Sequence, residues 1–378
     1  MRTLLVFLVL CSSLALRAEE TKSAVPAGPP KPLIQMAILL DTSNSMDGLI
    51  DQARGQLWKV VNEFITATRN GAKPELQVAL YEYGKPTLGA NTGYIRQILP
   101  FTTDLDKVSQ ELFALRTNGG DEYCGWVIKT ACEQLAWSPA PKDLKVIFIA
   151  GNEPFTQGPV DFRDSCKNAI AKGIIVNTIH CGPYDTGIQD KWQEGALLAD
   201  GKYSCIEQDK RIVHIDAPQD KEIVELNGQL NKTYIAYGAE GKKAQENQVA
   251  QDGNAAKQDT GSMSSRAASK ASDYYRNSSW DLVDAMKDSG KKVEELTPEE
   301  LPEEMKKMSV EERKAFVDSK VKERAGIQQK ILKLNDARTQ YVNEELKKRG
   351  ETKDDSLEKV MSKAVHEQAE KRDFEFKK

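Results

Sequence analysis

The feature that most constrains the fold is a nearly unbroken apolar stretch, residues 33–40, that ends in an acidic turn. An uninterrupted apolar run of this length is typical of a parallel strand that is covered on both faces. Apolar residues at helical spacing follow it, from position 49 to position 65. The turn between the two elements carries Asp41, Ser43 and Ser45. Ligands of open α/β sheets bind just outside the carboxyl ends of strands, so this turn is a candidate binding site.

Asp41, Ser43 and Ser45 form a D-x-S-x-S pattern that offers one carboxylate and two hydroxyls. Ligand sets made only of oxygen suit Mg²⁺, Mn²⁺ or Ca²⁺ rather than Zn²⁺. A simpler alternative is that the turn is only a helix cap, because Ser, Asp and Asn are the preferred N-cap residues. The strand before the turn and the amphipathic helix after it favour the metal site.

In this context the pattern resembles the first metal loop of von Willebrand factor type A (VWA) domains, as in integrin inserted domains and many secreted bacterial proteins. The resemblance implies a Rossmann-like, doubly wound α/β fold, with a mostly parallel sheet and helices on both faces. It also implies a metal-ion-dependent adhesion site, in which three loops hold a divalent cation. In the family, an acidic side chain of a protein partner completes the coordination of the metal.

The second loop departs from the family pattern, so a degenerate metal site is expected. The family carries a threonine after two glycines, and here Asp121 follows that glycine pair. A carboxylate is a good Mg²⁺ ligand, which makes Asp121 a direct or water-bridged ligand in this interpretation. The alternative is that Asp121 and Glu122 only occupy the first turn of a helix, where acids favour the dipole.

The third loop, which in the family reads Thr-Asp-Gly, is altered as well. Counting from the preceding strand places Asn152 at the family's aspartate, whereas counting back from the Glu-Pro pair places Gly151 there. The first count is preferred, because an asparagine can still accept a hydrogen bond from a metal-bound water. The resemblance therefore assigns Asp41, Ser43 and Ser45 as direct ligands and Asn152 to an outer position.

Strands and helices alternate from residue 33 to residue 239, which is assigned as the VWA domain. Strands separated by helices of this length predict right-handed βαβ units and a parallel sheet. One strand alternates polar and apolar residues after a turn, which predicts an antiparallel edge strand. The predicted strands are 33–40, 76–83, 94–99 (the edge strand), 145–150, 174–180 and 202–206, and the predicted later helices are 104–115, 121–137, 160–172, 191–199 and 219–237.

Residues 1–18 are interpreted as a secretory signal peptide, because Arg2 precedes a short apolar stretch and a small-residue cleavage site. A lipoprotein anchor at Cys11 is the alternative, but Leu10 is too large for that signal. A Pro-rich leader, residues 19–32, would follow. Export to the periplasm or to the outside is therefore expected, and no transmembrane segment of about 20 apolar residues is present.

Export makes disulfides possible, and an odd number of cysteines remains after the signal peptide. Cys124 and Cys181 both fall at the end of the sheet where the loops gather, so a disulfide between them is one expectation. The alternative is that the cysteines are buried apolar residues. The choice matters because a bridge would attach the second metal loop to a neighbouring strand.

The last part of the chain divides by composition. Residues 240–279 are rich in small and polar residues, which predicts a flexible linker. Residues 280–378 read as a charged helical region. Ile327, Ile331, Leu334 and Tyr341 keep a spacing that indicates a short coiled coil or helical hairpin able to self-associate. A solvated helix held by ion pairs is the alternative. A chain truncated near residue 238 is then expected to fold alone.

The sequence favours an exported, non-enzymatic binding or adhesion protein that holds a protein partner through a divalent metal. The formal net charge of −4 argues against nucleic acid as the main partner. One alternative is a metal-free scaffold whose helical tail makes the contacts. The other is a hydrolase using the same metal, against which the missing metalloprotease, nucleophile-elbow and phosphate-loop motifs argue.

Overall fold

A computed structural model describes residues 31–207, 215–350 and 356–376 of the chain. The expected signal peptide (1–18) lies outside these ranges, and so does nearly all of the expected leader (19–32). One compact unit extends from residue 32 to residue 378. Within the described ranges, no helix is long and apolar enough to cross a membrane.

A mostly parallel sheet of six strands forms the centre of the structure, in the order β4-β3-β1-β5-β6-β7. Only β4 runs antiparallel, at the edge, as its alternating sequence predicted. A second, two-stranded sheet joins β2 to β8. The strands are β1 (Leu33–Asp41), β2 (Ala67–Thr68), β3 (Glu75–Tyr83), β4 (Ile95–Thr102), β5 (Leu144–Gly151), β6 (Ile175–His180), β7 (Tyr203–Cys205) and β8 (Glu375–Phe376).

Helices connect the strands and then continue beyond the last strand of the large sheet. The five later helices that the sequence predicts each begin one to three residues later and end one to six residues earlier than predicted. The helices are α1 (Asp47–Asn62), α2 (Leu105–Ala114), α3 (Cys124–Gln134), α4 (Phe162–Ala171), α5 (Tyr184–Gln189), α6 (Trp192–Leu198), α7 (Asp220–Asn231), α8 (Gly241–Gln258), α9 (Thr260–Ala271), α10 (Leu282–Ser289), α11 (Val310–Arg349) and α12 (Leu357–Glu370).

The central sheet separates two apolar cores. Successive side chains of a strand point to opposite faces. Met36, Ile38 and Leu40 of β1 therefore join the core that contains α1, α2 and α12, whereas Ala37 and Leu39 join the core that contains α3, α4 and α6. Coverage on both faces explains why this strand reads as a continuous apolar run. The predicted fold class, a doubly wound and mostly parallel α/β sheet, is confirmed.

Residues 240–279, expected to form a flexible linker, instead contain the helices α8 and α9. Every residue of α9 from 261 to 271 is buried. The Ser262 hydroxyl donates to the Gly55 carbonyl of α1 over 2.9 Å, and Ser269 contacts the same helix. Small residues let two helix backbones approach closely, so α9 is buried without large apolar side chains. Composition alone does not distinguish such a helix from a disordered segment.

A buried ionic cluster joins α9 to its neighbours. Arg266 of α9 has no exposed surface, and its guanidinium contacts Asp106 of α2 over 2.7 Å and Asp252 of α8 over 2.5 Å. It also lies over the ring of Trp58 of α1, 4.6 Å from the centroid. Lys270 pairs with Asp252 over 3.0 Å. These contacts attach α8 and α9 to the helices of the sheet domain.

Helix α12 completes the core beside the central sheet, although it lies more than a hundred residues beyond the expected domain end. Leu357, Met361 and Val365 are buried in the core beside α1. The side-chain amides of Gln368 and Asn177 of β6 form reciprocal hydrogen bonds of 3.0 and 2.6 Å. The assigned boundary at residue 239 therefore divides a core that the structure builds from both ends of the chain.

Three of the four apolar positions expected to form a coiled-coil seam, Ile327, Ile331 and Leu334, are packed within this chain. Ile327 and Ile331 of α11 pack in a third core with Leu226 of α7 and Ala267 of α9. The charged interruption of the seam, Arg338, forms a 2.5 Å ion pair with Asp220 of α7. The polar residue that breaks the pattern is thus a specific contact between helices.

Substitution of Met361 by alanine should destabilise the protein by about 2–4 kcal/mol, because it opens a cavity in the core shared by α12 and the sheet. Chemical denaturation of the full chain measures the loss. Lys363→Ala, on the exposed face of the same helix, is the control and should stay within about 0.5 kcal/mol of the wild type. Similar values for both variants would mean that α12 is not part of the core.

Substitution of Arg266 by leucine should cost about 3–5 kcal/mol, because two buried carboxylates, Asp106 and Asp252, would lose their partner. The melting temperature and the free energy of unfolding test this. Arg276→Leu breaks more exposed ion pairs with Asp273 and Asp288 and should cost about 1 kcal/mol or less. A small loss for Arg266→Leu would show that the cluster does not hold α9 in place.

Candidate functional site

The first loop follows β1 directly and leads through a short turn, Asn44–Met46, into α1. Asp41, the last residue of β1, is fully buried. Its Oδ1 accepts a hydrogen bond from the Ser43 amide over 2.7 Å, while its Oδ2 is buried without a hydrogen-bond partner. The hydroxyl oxygens of Ser43 and Ser45 lie 3.4 Å apart. The D-x-S-x-S pattern therefore gathers its three side chains at the carboxyl end of the strand.

The third loop follows the strand next to β1 in the sheet and contacts the first loop. Asn152 follows β5, which pairs with β1 in the sheet. Its side-chain amide donates to the Ser45 hydroxyl over 3.1 Å, and its Oδ1 is buried without a hydrogen-bond partner. Asn152, the residue that the preferred count selects, therefore contacts the first loop. Its Oδ1 can still accept a hydrogen bond.

The second loop brings Glu122, not Asp121, to this cluster. Asp121 is exposed, and its Oδ2 lies 3.5 Å from the Tyr123 hydroxyl. Glu122 is buried, and desolvation and then the charge of Asp41 raise its pKa, while a hydrogen bond with Ser43 lowers it. The reason is local: α3 begins only at Cys124, so residues 121–123 are not helical, and Glu122 is buried while Asp121 is exposed.

Glu122 was not selected from the sequence, because counting from the glycine pair places Asp121 at the position of the family's threonine. A helix starting at residue 121 would have placed both acids in its first turn. The loop is instead held in place by the Glu122 amide, which donates to the Gln157 side chain over 3.0 Å, and by the Asn118 amide, which donates to the Thr42 carbonyl over 3.0 Å. Those contacts come from other loops and carry no signal in the local sequence.

The backbone approaches the cluster closely at two glycines. Gly84 after β3 has φ +89°, and a Cβ there would lie 2.8 Å from Asp41 Oδ1 and 2.9 Å from Glu122 Cγ. A Cβ on Gly151 would lie 3.0 Å from Asp41 Oδ2 and 2.6 Å from the Tyr83 hydroxyl. Glycine is required at both places, because any side chain would collide with the two carboxylates or their support.

Burial leaves the cluster with unfavourable electrostatics. Desolvation raises the pKa of Asp41 to about 7, and the charge of Glu153 adds to the shift. Desolvation, followed by the charge of Asp41, raises the pKa of Glu122 to about 8. Two carboxyl groups that share a buried space and resist ionisation are the arrangement that a bound cation would relieve.

The donor set fits a hard divalent cation. Asp41, Glu122, Ser43, Ser45 and Asn152 offer carboxylate, hydroxyl and amide oxygens, and two of these oxygens are buried without a hydrogen-bond partner. Such ligands suit Mg²⁺, Mn²⁺ or Ca²⁺. In the described ranges, no group of three or more His, Cys, Asp or Glu residues is placed to hold a metal. A metal here would therefore depend on the hydroxyls as well as on the acids.

Cys124 and Cys181, for which a disulfide was one expectation, are not joined in the structure. The Cys124 sulfur lies 3.8 Å from the Tyr83 hydroxyl, in the core beneath α3 and α4. Cys181 belongs to the core on the other face of the sheet. The two thiols lie in different cores, which explains why they form no disulfide. Burial raises the pKa of the Cys124 thiol well above its ordinary value.

Comparison with protein families matches residues 35–193 to the von Willebrand factor type A domain. This range contains all three loops of the candidate site. It ends before α7, so α7 to α12 lie outside the matched region. No curated protein sequence matches the chain.

Several solved structures are similar to slightly less than half of this chain. Proximal thread matrix protein 1 from the mussel byssus, with a zinc-occupied MIDAS motif, is 11% identical with a TM-score of 0.37, covering 48% of this chain and 43% of that one. BatB, a conserved hypothetical protein from Bacteroides thetaiotaomicron, is 17% identical with a TM-score of 0.35, covering 46% and 90%. The pilus adhesin SpaC from Lactobacillus rhamnosus GG is 12% identical with a TM-score of 0.35, covering 47% and 28%. This chain thus spans under half of the mussel protein and of the adhesin.

Substitution of Asp41 by asparagine should stabilise the metal-free protein at pH 8. The pKa of Asp41 is raised from 3.8 to about 7, so the unfolded chain loses this proton near pH 4 and the folded chain only near pH 7. Stability from the neutral carboxyl is present below pH 4 and is lost as the pH rises through 7. The neutral amide avoids this loss and should gain on the order of 1–2 kcal/mol. Chemical denaturation in EDTA measures it.

The control for this measurement is Asp336→Asn, which makes the same charge change at an exposed position of α11. It should show no gain at pH 8. The gain for Asp41→Asn should shrink as the pH is lowered toward 4. A gain that is absent at pH 8, or equal in the two variants, would contradict the assignment of a buried, destabilising carboxylate at position 41.

Proposed function

We propose that the VWA domain matched at residues 35–193 binds a divalent cation at the carboxyl end of its sheet and uses it to hold a protein partner. One observation carries this proposal. Two separate loops contact each other at Ser45 and Asn152, and the buried oxygens Asp41 Oδ2 and Asn152 Oδ1 have no hydrogen-bond partner there. Buried polar atoms without partners are costly, and a cation would use them.

Asp41, Ser43 and Ser45 are the proposed direct ligands, as the resemblance implies. Asn152 would accept a hydrogen bond from a metal-bound water through its Oδ1. For the second loop, the buried position of Glu122 makes it the stronger candidate, and the exposed Asp121 would act at most through water. The bound metal supplies a positive charge that neutralises the buried acids and presents an open coordination position to a partner.

Mg²⁺ is the proposed cation, with Mn²⁺ or Ca²⁺ as alternatives. Mg²⁺ is bound in proteins by one or two carboxylates and keeps several waters, which matches a site with two buried acids and two hydroxyls. Zn²⁺ is less suited, because the donors here are all oxygens. Metal affinity and stability are linked, since an occupied site relieves the repulsion between Asp41 and Glu122.

The proposed role is adhesion or binding rather than catalysis. VWA domains usually mediate interactions between proteins. The family resemblance adds that an acidic side chain of the partner ligates the metal. Export through the signal sequence at residues 1–18 would place this interaction in the periplasm or outside the cell. Self-association through α11 is not favoured, because Ile327 and Ile331 are already buried in this chain.

Metal binding to the full chain tests the site. Isothermal titration calorimetry with Mn²⁺ should show one bound ion for the wild type and none for Asp41→Ala. Glu122→Gln should weaken binding by about tenfold or more, because it removes a carboxylate at the cluster. The matched variant Asp121→Asn should change affinity by about twofold or less, because Asp121 is exposed.

Two outcomes would change the proposal. Equal Mn²⁺ affinity of Asp41→Ala and the wild type would show that the metal does not bind at this site. Loss of binding in Asp121→Asn, with binding retained in Glu122→Gln, would return Asp121 to the ligand position that the family count assigns to it. Retained far-UV circular dichroism and cooperative unfolding of the metal-free variants would confirm that each comparison concerns binding rather than folding.

A further inference from the structure

Three aromatic rings lie beside the second loop and have no role in the metal site. Tyr123 follows Glu122 directly and contacts Tyr94 edge-on, with ring centroids 5.4 Å apart. It also stacks with Trp126 one turn further along, with centroids 6.3 Å apart and planes 4° apart. All three rings are partly exposed. Tyr94, Tyr123 and Trp126 are called the aromatic surface below.

Two glycines support this aromatic surface from behind. Gly158 has φ +88°, and a Cβ there would lie 2.6 Å from the ring of Tyr123. Gly93 has φ +70°, and a Cβ there would lie 2.6 Å from the ring of Trp126. The backbone thus packs against both rings and fixes their orientation. Rings held in this way lose little conformational entropy when they bind something.

An acidic group stands at the edge of the aromatic surface. Asp121 is exposed and lies 3.5 Å from the Tyr123 hydroxyl. Among the described residues, no ion pair involves Asp121. Lys85 and Arg96 both pair with the buried Glu82, over 2.7 and 2.5 Å. Arg116, five residues before Asp121, donates instead to the backbone carbonyls of Phe113 and Leu115. Asp121 is therefore available to an incoming cation.

The rings are available to a cation as well. Elsewhere in the described part of the chain, arginine and lysine side chains lie over aromatic rings, as Arg324 does over Tyr234 at 4.1 Å. None of these contacts involves Tyr94, Tyr123 or Trp126. An exposed acid beside stacked rings is a favourable place for a guanidinium, which can pair with a carboxylate while it stacks on a ring.

The charge of the occupied metal site favours the same kind of partner. Asp41 and Glu122 together balance a divalent cation, so Asp121 and Glu153 leave the rim negative. A further carboxylate brought by a partner would meet this negative charge at close range, whereas a basic side chain would be attracted. The buried Glu122 thus makes a basic group on the partner favourable next to the side chain that ligates the metal.

We propose that the aromatic surface and Asp121 dock a basic side chain of the partner protein, with arginine preferred over lysine. This inference rests on the proposed function, because it describes the partner's side of the same site. The guanidinium would stack on Tyr123 and Trp126 and form an ion pair with Asp121. The partner would therefore present a basic segment to the rim of this site, beside the open coordination position of the metal.

Labelled peptides of equal length, in which arginine, lysine or glutamate alternates with glycine and serine, test this proposal. Fluorescence anisotropy with the full chain in Mg²⁺ should give tight binding for the arginine peptide, weaker binding for lysine and the weakest for glutamate. Asp121→Asn and Tyr123→Leu should each weaken the arginine peptide by about fivefold. Tyr123→Phe keeps the ring and should restore most of the affinity.

Matched controls separate this surface from general attraction to an acidic protein. Asp336→Asn makes the same charge change on α11, and Tyr341→Leu the same change of side chain on that helix. Both should bind the arginine peptide like the wild type. Asp121→Asn and Tyr123→Leu should also retain the Mn²⁺ affinity and the melting temperature of the wild type, which shows that neither the site nor the fold has been lost.

The two proposals fail in different ways. If the wild type binds no Mn²⁺ while Tyr123→Leu still weakens the arginine peptide, the metal site is wrong and the docking surface remains. If Mn²⁺ binds but the glutamate peptide binds more tightly than the arginine peptide, the proposal of a basic partner is wrong. The acidic partner that the family resemblance implies would then be supported. Equal effects of the surface variants and their α11 controls would also overturn the docking surface.

Discussion

The ion pairs of Arg266 with Asp106 and Asp252 hold much of this structure together. They fix α9, and α9 packs along α1 through close contacts such as that of Ser262 with Gly55. Helix α1 begins directly after the first loop of the site. The helices outside the matched VWA region therefore support the helix that positions that loop. Because the pairs are buried, removing one partner would leave an uncompensated charge in the interior.

In the candidate site, unlike in the cluster around Arg266, buried acids have no basic partner in the described part of the chain. Asp41 and Glu122 share a buried space without a basic partner, and each has a raised pKa because burial disfavours its ionised form. Glycines at positions 84 and 151 allow the backbone to enclose this pair. Among the described residues, the other buried acids pair with arginine or lysine, whereas these two have no basic partner, as is expected of a binding site.

Several elements could be predicted from sequence because their signals are local. The apolar run of β1, the Asp41 turn and the periodicity of α1 follow from residues close in the chain, and so does the alternating edge strand β4. Helix α9 could not be predicted in this way. Its Ser, Ala and Gly residues resemble a linker, and only the presence of α1, α7 and α11 around them makes their burial favourable.

The sequence by itself determined the fold class, the order along the chain of the six strands of the large sheet, and the first loop with Asp41, Ser43 and Ser45, because hydrophobic period and turn chemistry act over a few residues. The tertiary structure decided which acid of the second loop turns inward, since contacts from Gly84 and Gln157 direct Glu122 to the site and leave Asp121 in solvent. It also decided that α12 completes the core of a domain that begins more than three hundred residues earlier. Both outcomes depend on surfaces brought together from distant parts of the chain, and no local pattern records which surface a side chain will meet.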